Sequence, residues 1–174
     1  MLAAFAWKEV LELIHTDLCG PINVPSMVGN RYILIFVDDF SRYCVTYLLK
    51  DKSEIHNLLR KFVAKVKNKF ERKPQAFQSD SSGEYISNHR QTFLEEQGIL
   101  NRRTVPYTPE QNGIAERKLR SLLEMTRCML ADAELPNKLW DDVVMTATYL
   151  QNRLPTKGTT KAPFEIWHGR IPNI

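Results

Sequence analysis

The sequence predicts an α/β domain, with a mixed sheet of five strands flanked by helices. Two observations point there. Short apolar runs alternate with segments whose apolar residues recur at spacings of three and four. Their order is strand, hairpin, helix, strand, helix, strand, helix, helix, which suits a mixed sheet covered on both faces. The length of 174 residues matches one domain with a real core, and the 43% hydrophobic and 25% charged content is ordinary for a globular chain.

Taken in order, Leu11 to Leu18 reads as a strand ending near Asp17. "RYILIFVDDFSRYCVTYLL" reads as two strands joined by a turn at Asp38 to Arg42. Ser53 opens a helix, and Ile55, Leu58, Leu59, Phe62, Val63, Val66 and Phe70 form its apolar face before Pro74 stops it. Gln75 to Asp80 is a short strand. Asn88 to Gln97 is a helix with Gly98 as its C-terminal cap, and Ile99 to Val105 is a further strand. "PYTPEQNG" is a loop by composition. Ala115, Leu119, Leu122, Thr126, Leu130 and Ala133 mark a long helix, and Pro136 starts another carrying Trp140, Val144, Ala147 and Leu150. The organisation is a lead-in over 1–10, a core over 11–151, and an extended tail or linker over 152–174, rich in Pro, Gly, Thr and Lys.

Composition excludes several classes. The longest clean apolar run, Tyr32 to Val37, is too short to span a bilayer, so no membrane partner is expected. "MLAAFAW" has no basic segment before it and is ended by Lys8 and Glu9, which argues against a signal peptide. Cys19, Cys44 and Cys128 are odd in number and widely spaced, which argues against a disulfide framework and a zinc site. They read as small core residues in a reducing, intracellular compartment. The net charge of +4 is unevenly spread: Arg60 to Lys73 holds seven Lys and Arg against one Glu. That run is either a solvated helix face or part of a nucleic-acid surface.

Three acids stand at element edges: Asp17 at a strand end, Asp80 at a strand end, and Glu116 in the first turns of the long helix. Such positions gather ligands outside a packed core. Magnesium prefers carboxylate oxygens, and two such ions can serve phosphodiester chemistry. By position alone Asp80 is equally a turn acid. Asp38 and Asp39 look like paired carboxylates, but they fall at a hairpin turn, where aspartates bond backbone. Glu84 reads as structural, His15 as a core or hydrogen-bonding histidine, and Trp140 and Trp167 as packing anchors.

Further motifs occur in order: "HTDLCGP" from His15, "YILIFVDDFSRY" from Tyr32, "QSD" and "GEY" between Gln78 and Tyr85, "PYTPEQNGIAERK" from Pro106, and "NRLP" from Asn152. Thirty-five residues separate Asp80 from Glu116. Together these resemble the integrase catalytic core of copia-type LTR retrotransposons, related to retroviral integrases, from about Leu11 to the C-terminus. The resemblance implies a ribonuclease H-like fold and a polynucleotidyl transferase that trims the 3′ ends of element DNA and joins them to target DNA, in the nucleus when the target is chromosomal. It implies that Asp17, Asp80 and Glu116 are the catalytic ligands of Mg²⁺, for which Mn²⁺ can substitute, and that the active form is a homo-oligomer.

DNA contacts follow from the same match. Tyr107 and Pro109 fall in the loop that approaches the DNA end, Gln111 and Asn112 adjoin the helix start, and Lys118 belongs to the same run. Arg120 and, further along, Arg127 share the helical stripe of Glu116, placing Arg120 to meet a phosphate beside the metals. The alternative for Arg120 is an ion pair within the helix to Glu116, worth a few tenths of a kcal/mol.

The chain departs from the family in two places. Asp80-Ser81-Ser82-Gly83-Glu84 stands where copia-type cores usually have Asp-Asn-Gly-Gly-Glu, and Leu119 replaces a common asparagine, removing a polar group near the site. Without the family's zinc module, the chain is expected to be an isolated core of a larger polyprotein or a degenerate copy that binds DNA without catalysis. A ribonuclease H-type nuclease shares the metal logic, and the "PYTPEQNGIAER" run speaks for an integrase over it.

Overall fold

In the computed structural model the described residues are 7–79, 88–103, 113–155 and 160–173. They build one mixed sheet of five strands in the order β3-β2-β1-β4-β5. Strand β1 (Leu13–Cys19) is antiparallel to β2 (Tyr32–Asp38), which is antiparallel to β3 (Cys44–Leu49). β1 is parallel to β4 (Ala76–Ser79), and β4 to β5 (Leu100–Arg103). β1 starts later than Leu11, because Leu11 has a φ of 70° and its N–H donates to the Asp38 carboxylate at 2.8 Å instead of to a strand. Asp38 also accepts from the Ser41 N–H at 2.8 Å and the Ser41 hydroxyl at 2.6 Å, so it organises the hairpin turn from within the core. Burial pushes its carboxyl above the usual range despite these bonds.

Alternation along β2 sorts the core into two layers. Leu34 and Phe36 point to one side, with Ile14 of β1 and Phe77 of β4. There they meet helix α1 (Ile55–Phe70), through Leu59, Phe62, Val63 and Val66, and helix α2 (Asn88–Glu96), through Phe93 and Leu94. Phe36 stacks on Phe62 at 4.5 Å. Ile33, Ile35 and Val37 point to the other side, against α3 (Gly113–Asp132) and α4 (Trp140–Arg153). This is why β2 reads as an unbroken apolar run: both of its faces are buried.

Helix ends follow local chemistry. A 3-10 turn, Lys52–Glu54, precedes α1, with Asp51 accepting from the Ser53 N–H at 2.8 Å and Glu54 accepting from the Asp51 N–H at 3.0 Å. α1 stops at Phe70, ahead of Pro74, because Glu71 turns into the left-handed region. Gly98, with φ +67°, ends α2 as its position suggests. Pro136 opens a 3-10 turn, Asn137–Leu139, and α4 begins only at Trp140.

The segment over 152–174 reads from composition as extended, but its described part is folded. α4 runs on through Arg153, and Pro163–His168 forms a short helix, α5. Phe164 and Trp167 are buried, and Trp167 stacks on Tyr43 at 5.0 Å with Phe70 at its edge at 4.9 Å. One helical turn and a half is too short to show a period, so it is masked by the Pro and Gly around it. Cysteine reading also needs correction: Cys44 is buried and Cys19 half-buried, but Cys128 is exposed. Thr126 and Leu130 take the inward positions of α3, and a residue two along from either faces outward.

Candidate active site

The site is built where β1 ends beneath α3. Asp17 pairs in register with Ile35, so its side chain lies on the α3 and α4 side of the sheet. It is half-buried, and one carboxylate oxygen accepts the Leu18 N–H at 2.9 Å. Gly20 lets the strand stop sharply there. Its φ is +136°, and a Cβ would fall 2.5 Å from the Tyr32 ring and 2.6 Å from the Arg31 carbonyl oxygen.

α3 crosses β1 on the same side. Ala115, Leu119 and Leu122 point down into the core, which leaves Glu116 exposed in the first turn. Arg120 is exposed one turn on. Arg127 faces β1: with Cys19, Leu123, Thr126 and Asn23 it lines a pocket of about 500 Å³. The Cys19 thiol is pushed up by burial first and by the Asp17 carboxylate second, with the Arg127 guanidinium opposing. The strand end therefore places Asp17, Cys19 and Arg127 within electrostatic reach of one another.

Lys118 is not part of this group. It is half-buried on another side of α3, near the Cys44 thiol of β3, and burial lowers its ammonium pKa. Two residues along a helix is a rotation of about 200°, which carries Lys118 away from Glu116. Leu119 is 6% exposed and packs in the core rather than over the carboxylates. Asp80, Tyr107, Gln111 and Asn112, together with Ser81, Ser82 and Glu84, lie outside the described residues.

The last register pair between β1 and β4 is His15 with Gln78, and Asp17 and Asp80 each follow two residues later in sequence. Around this pair His15 is the core, hydrogen-bonding histidine that the sequence suggests, while Gln78 and Arg90 were not singled out by sequence patterns. His15 is 3% exposed and its Nε2 bonds Asp39 at 2.8 Å, which ties the hairpin turn to β1. Gln78 is 4% exposed, with a buried amide nitrogen that has no hydrogen-bond partner among the described residues. Arg90 of α2 is 4% exposed and donates to the Ser79 hydroxyl at 3.2 Å, at the end of β4. Only a buried position could have flagged Arg90, since its place in a short polar helix gives no periodic signal.

Among the described residues, no three Asp, Glu, His or Cys side chains come together as a metal site. The two described acids suit a hard cation: Asp17 of β1 and Glu116 of α3 offer carboxylate oxygens, and burial keeps the neighbouring Cys19 sulfur toward its protonated thiol form. No helix among the described residues is long and apolar enough to cross a membrane.

Comparison with known proteins places this geometry. Residues 8–109 match the family described as the integrase core domain. The chain is 40% identical over 160 residues to the retrovirus-related Pol polyprotein from transposon TNT 1-94 of Nicotiana tabacum, a match covering 91% of this chain and 12% of that protein. It is 36% identical over 167 residues to the Pol polyprotein from transposon RE2 of Arabidopsis thaliana, covering 95% of this chain and 11% of that protein. The chain thus spans about a tenth of the length of these relatives. Its fold is similar to the HTLV-2 integrase catalytic core domain in complex with magnesium, in trimeric form, with a TM-score of 0.67 and 16% identity over 92% of this chain and 98% of that one. That likeness gives the fold as ribonuclease H-like.

Proposed function

Because the chain belongs to the integrase core domain family, we propose that it is the catalytic core of a polynucleotidyl transferase that trims the 3′ ends of retrotransposon DNA and joins them to target DNA. The observation that carries this reading is that Asp17 lies on the side of the sheet that α3, the helix bearing Glu116, crosses.

Asp17, Asp80 and Glu116 would hold Mg²⁺, with Mn²⁺ as a substitute. When bound, a pair of such ions activates the attacking oxygen and stabilises the leaving one. The chain's own part is positioning and charge. Asp17 is fixed by its strand and by the Leu18 N–H, so its carboxylate keeps a set direction. Glu116 stands on a helix whose inward residues anchor it. Arg120 and Arg127 carry positive charge along the same helix toward DNA phosphates. Tyr107, Gln111 and Asn112, which precede α3 in sequence, contact DNA together with Lys118 of α3. The active form is a homo-oligomer, as the trimeric core named above supports, and it works in the nucleus when the target is chromosomal.

The test is an end-joining and disintegration assay with labelled oligonucleotides in Mg²⁺ or Mn²⁺. The parent chain yields joined product, and Asp17→Asn and Glu116→Gln yield none. Equal product from parent and Glu116→Gln overturns the assignment. A parent that binds DNA but makes no product is a core that has kept binding and lost catalysis.

A further inference from the structure

The last register pair of β1 and β4, His15 with Gln78, sets two polar side chains side by side in the core. Ile14 and Phe77 pack on the α1 side, so His15 and Gln78, the next residues along, face the α3 side, where Asp17 also lies. His15 is 3% exposed and Gln78 4%. The hairpin turn holds the imidazole. Its Nε2 lies 2.8 Å from Asp39 Oδ1, the Asp39 N–H donates to the Leu13 carbonyl at 2.9 Å, and Arg42 Nη1 stands 3.6 Å from the same carboxylate oxygen. With the carboxylate as acceptor, the hydrogen of a neutral ring sits on Nε2 and a lone pair is left on Nδ1.

That Nδ1 is buried with no hydrogen-bond partner among the described residues, and so is Gln78 Nε2. One is an acceptor and the other a donor, and they stand on neighbouring strands about 4.8 Å apart. They do not bond each other directly. A single water spans such a gap, with bonds of about 2.8–3.0 Å to each side. It donates to Nδ1 and accepts from Nε2, so both groups are met at once. Without such a bridge two buried polar groups go unmet side by side, which folded proteins avoid.

We propose that His15 and Gln78 are positioning residues: they clasp a buried water between β1 and β4 and so set the spacing of the strand ends that lead to Asp17 and Asp80. Each acid follows its member of the pair by two residues in sequence. Among the described residues the β1–β4 ladder has three pairs and ends at this one. Beyond it no backbone pairing holds the strands together, and the side-chain bridge is the last tie before the acids. Metal ligands depend on such outlying bonds for their direction. The positioning role rests on the reading of Asp17, Asp80 and Glu116 as metal ligands, and the water bridge does not.

The test is two-dimensional NMR of the labelled parent chain and of Gln78→Met, His15→Gln and Thr46→Val. Without metal, the Gln78 side-chain amide of the parent is expected to show a cross-peak to a long-lived water. In a Mg²⁺ titration the Leu18 amide, which donates to Asp17, reports metal at the site. Gln78→Met keeps the shape and removes the donor, so the Mg²⁺ concentration at half-shift should rise about tenfold. His15→Gln keeps a donor for Asp39 and an acceptor for the water, and should stay within about threefold of the parent. Thr46→Val breaks the buried bond between the Thr46 and Thr148 hydroxyls, at 2.8 Å and away from the pair, so it should lower Tm without moving the half-point. Where Gln78→Met does not fold, Gln78→Asn, which draws the donor back by one methylene, takes its place with the same outcomes. The proposal is overturned by a missing water cross-peak in the parent, or by a Gln78→Met half-point equal to the parent's. It is also overturned if His15→Gln or Thr46→Val raises the half-point as far as Gln78→Met does. A parent Leu18 amide that ignores Mg²⁺ overturns the metal reading and the positioning role with it, while the cross-peak still decides the water bridge.

Discussion

Asn152 should be worth more to this fold than its place in a polar "NRLP" run implies. It is 3% exposed at the end of α4, with Oδ1 accepting from the Cys44 N–H at 2.9 Å and Nδ2 donating to the Cys44 carbonyl at 2.8 Å. One side chain therefore closes the outer edge of β3 at a residue that is itself 1% exposed. Asn152→Ala leaves a buried donor and a buried acceptor unmade, each costing about 1–3 kcal/mol, so the expected loss is about 2–4 kcal/mol once some water reaches the gap. For a chain of 174 residues this corresponds to a Tm lower by roughly 5–15 °C. Urea unfolding followed by far-UV circular dichroism measures it, with m unchanged. Asn152→Asp separates bonding from packing. It has nearly the same shape but sets a carboxylate oxygen against the Cys44 carbonyl, so at neutral pH it should cost at least as much as alanine. If Asn152→Asp is neutral while Asn152→Ala is costly, the side chain acts by filling space, and the reasoning from hydrogen bonds fails.

Three other outcomes follow from the same structure. Trp167→Ala should destabilise the chain by about 3–5 kcal/mol in urea, since it removes a buried ring stacked on Tyr43 and edged by Phe70; a loss below about 1 kcal/mol would mean α5 is not part of the core. Burial lowers His168 to about 4, helped by Lys69, Arg170, Arg153 and Lys65, so the unfolded chain takes up a proton that the folded chain refuses between about pH 6.5 and 4. Stability is full above that window and falls through it as pH drops; Tm of the parent minus that of His168→Gln should shrink on acidification, and a constant difference refutes the shift. Arg90→Met frees the end of β4 that Arg90 holds through Ser79, so the Mg²⁺ concentration needed to raise Tm should increase about tenfold or more, with Arg90→Lys in between. An unchanged metal dependence in Arg90→Met denies it a positioning role.

Periodicity made some elements legible and left others hidden, for physical reasons. α1 and α3 bury one stripe each, so the spacing of Leu59, Phe62, Val63 and Val66, or of Ala115, Leu119 and Leu122, shows them in the sequence. β2 was legible from continuity, since helices cover both its faces. The starts of β1 and α4 were not, because they depend on tertiary bonds and on a local cap: Leu11 is claimed by Asp38, and Leu139 still closes a 3-10 turn on Pro136. α5 was hidden because what makes it stable lies elsewhere in the chain, on Tyr43 and Phe70.

The site divides along the same line. Its acids could be named because motif order and a fixed gap carry them; Asp17 and the helix that bears Glu116 lie on one side of the sheet. Their supporting residues could not. Arg90 and Gln78 matter through burial, and burial of a polar side chain leaves no period in the sequence. Lys118 shows what a motif leaves out: it shares a run with Glu116, while a helix turns neighbours in sequence onto different faces. The basic run of α1 was ambiguous for a related reason. A charge run alone is compatible with a solvated face, and only the fold brings Arg153, His168 and Arg170 from the far end of the chain to stand against it.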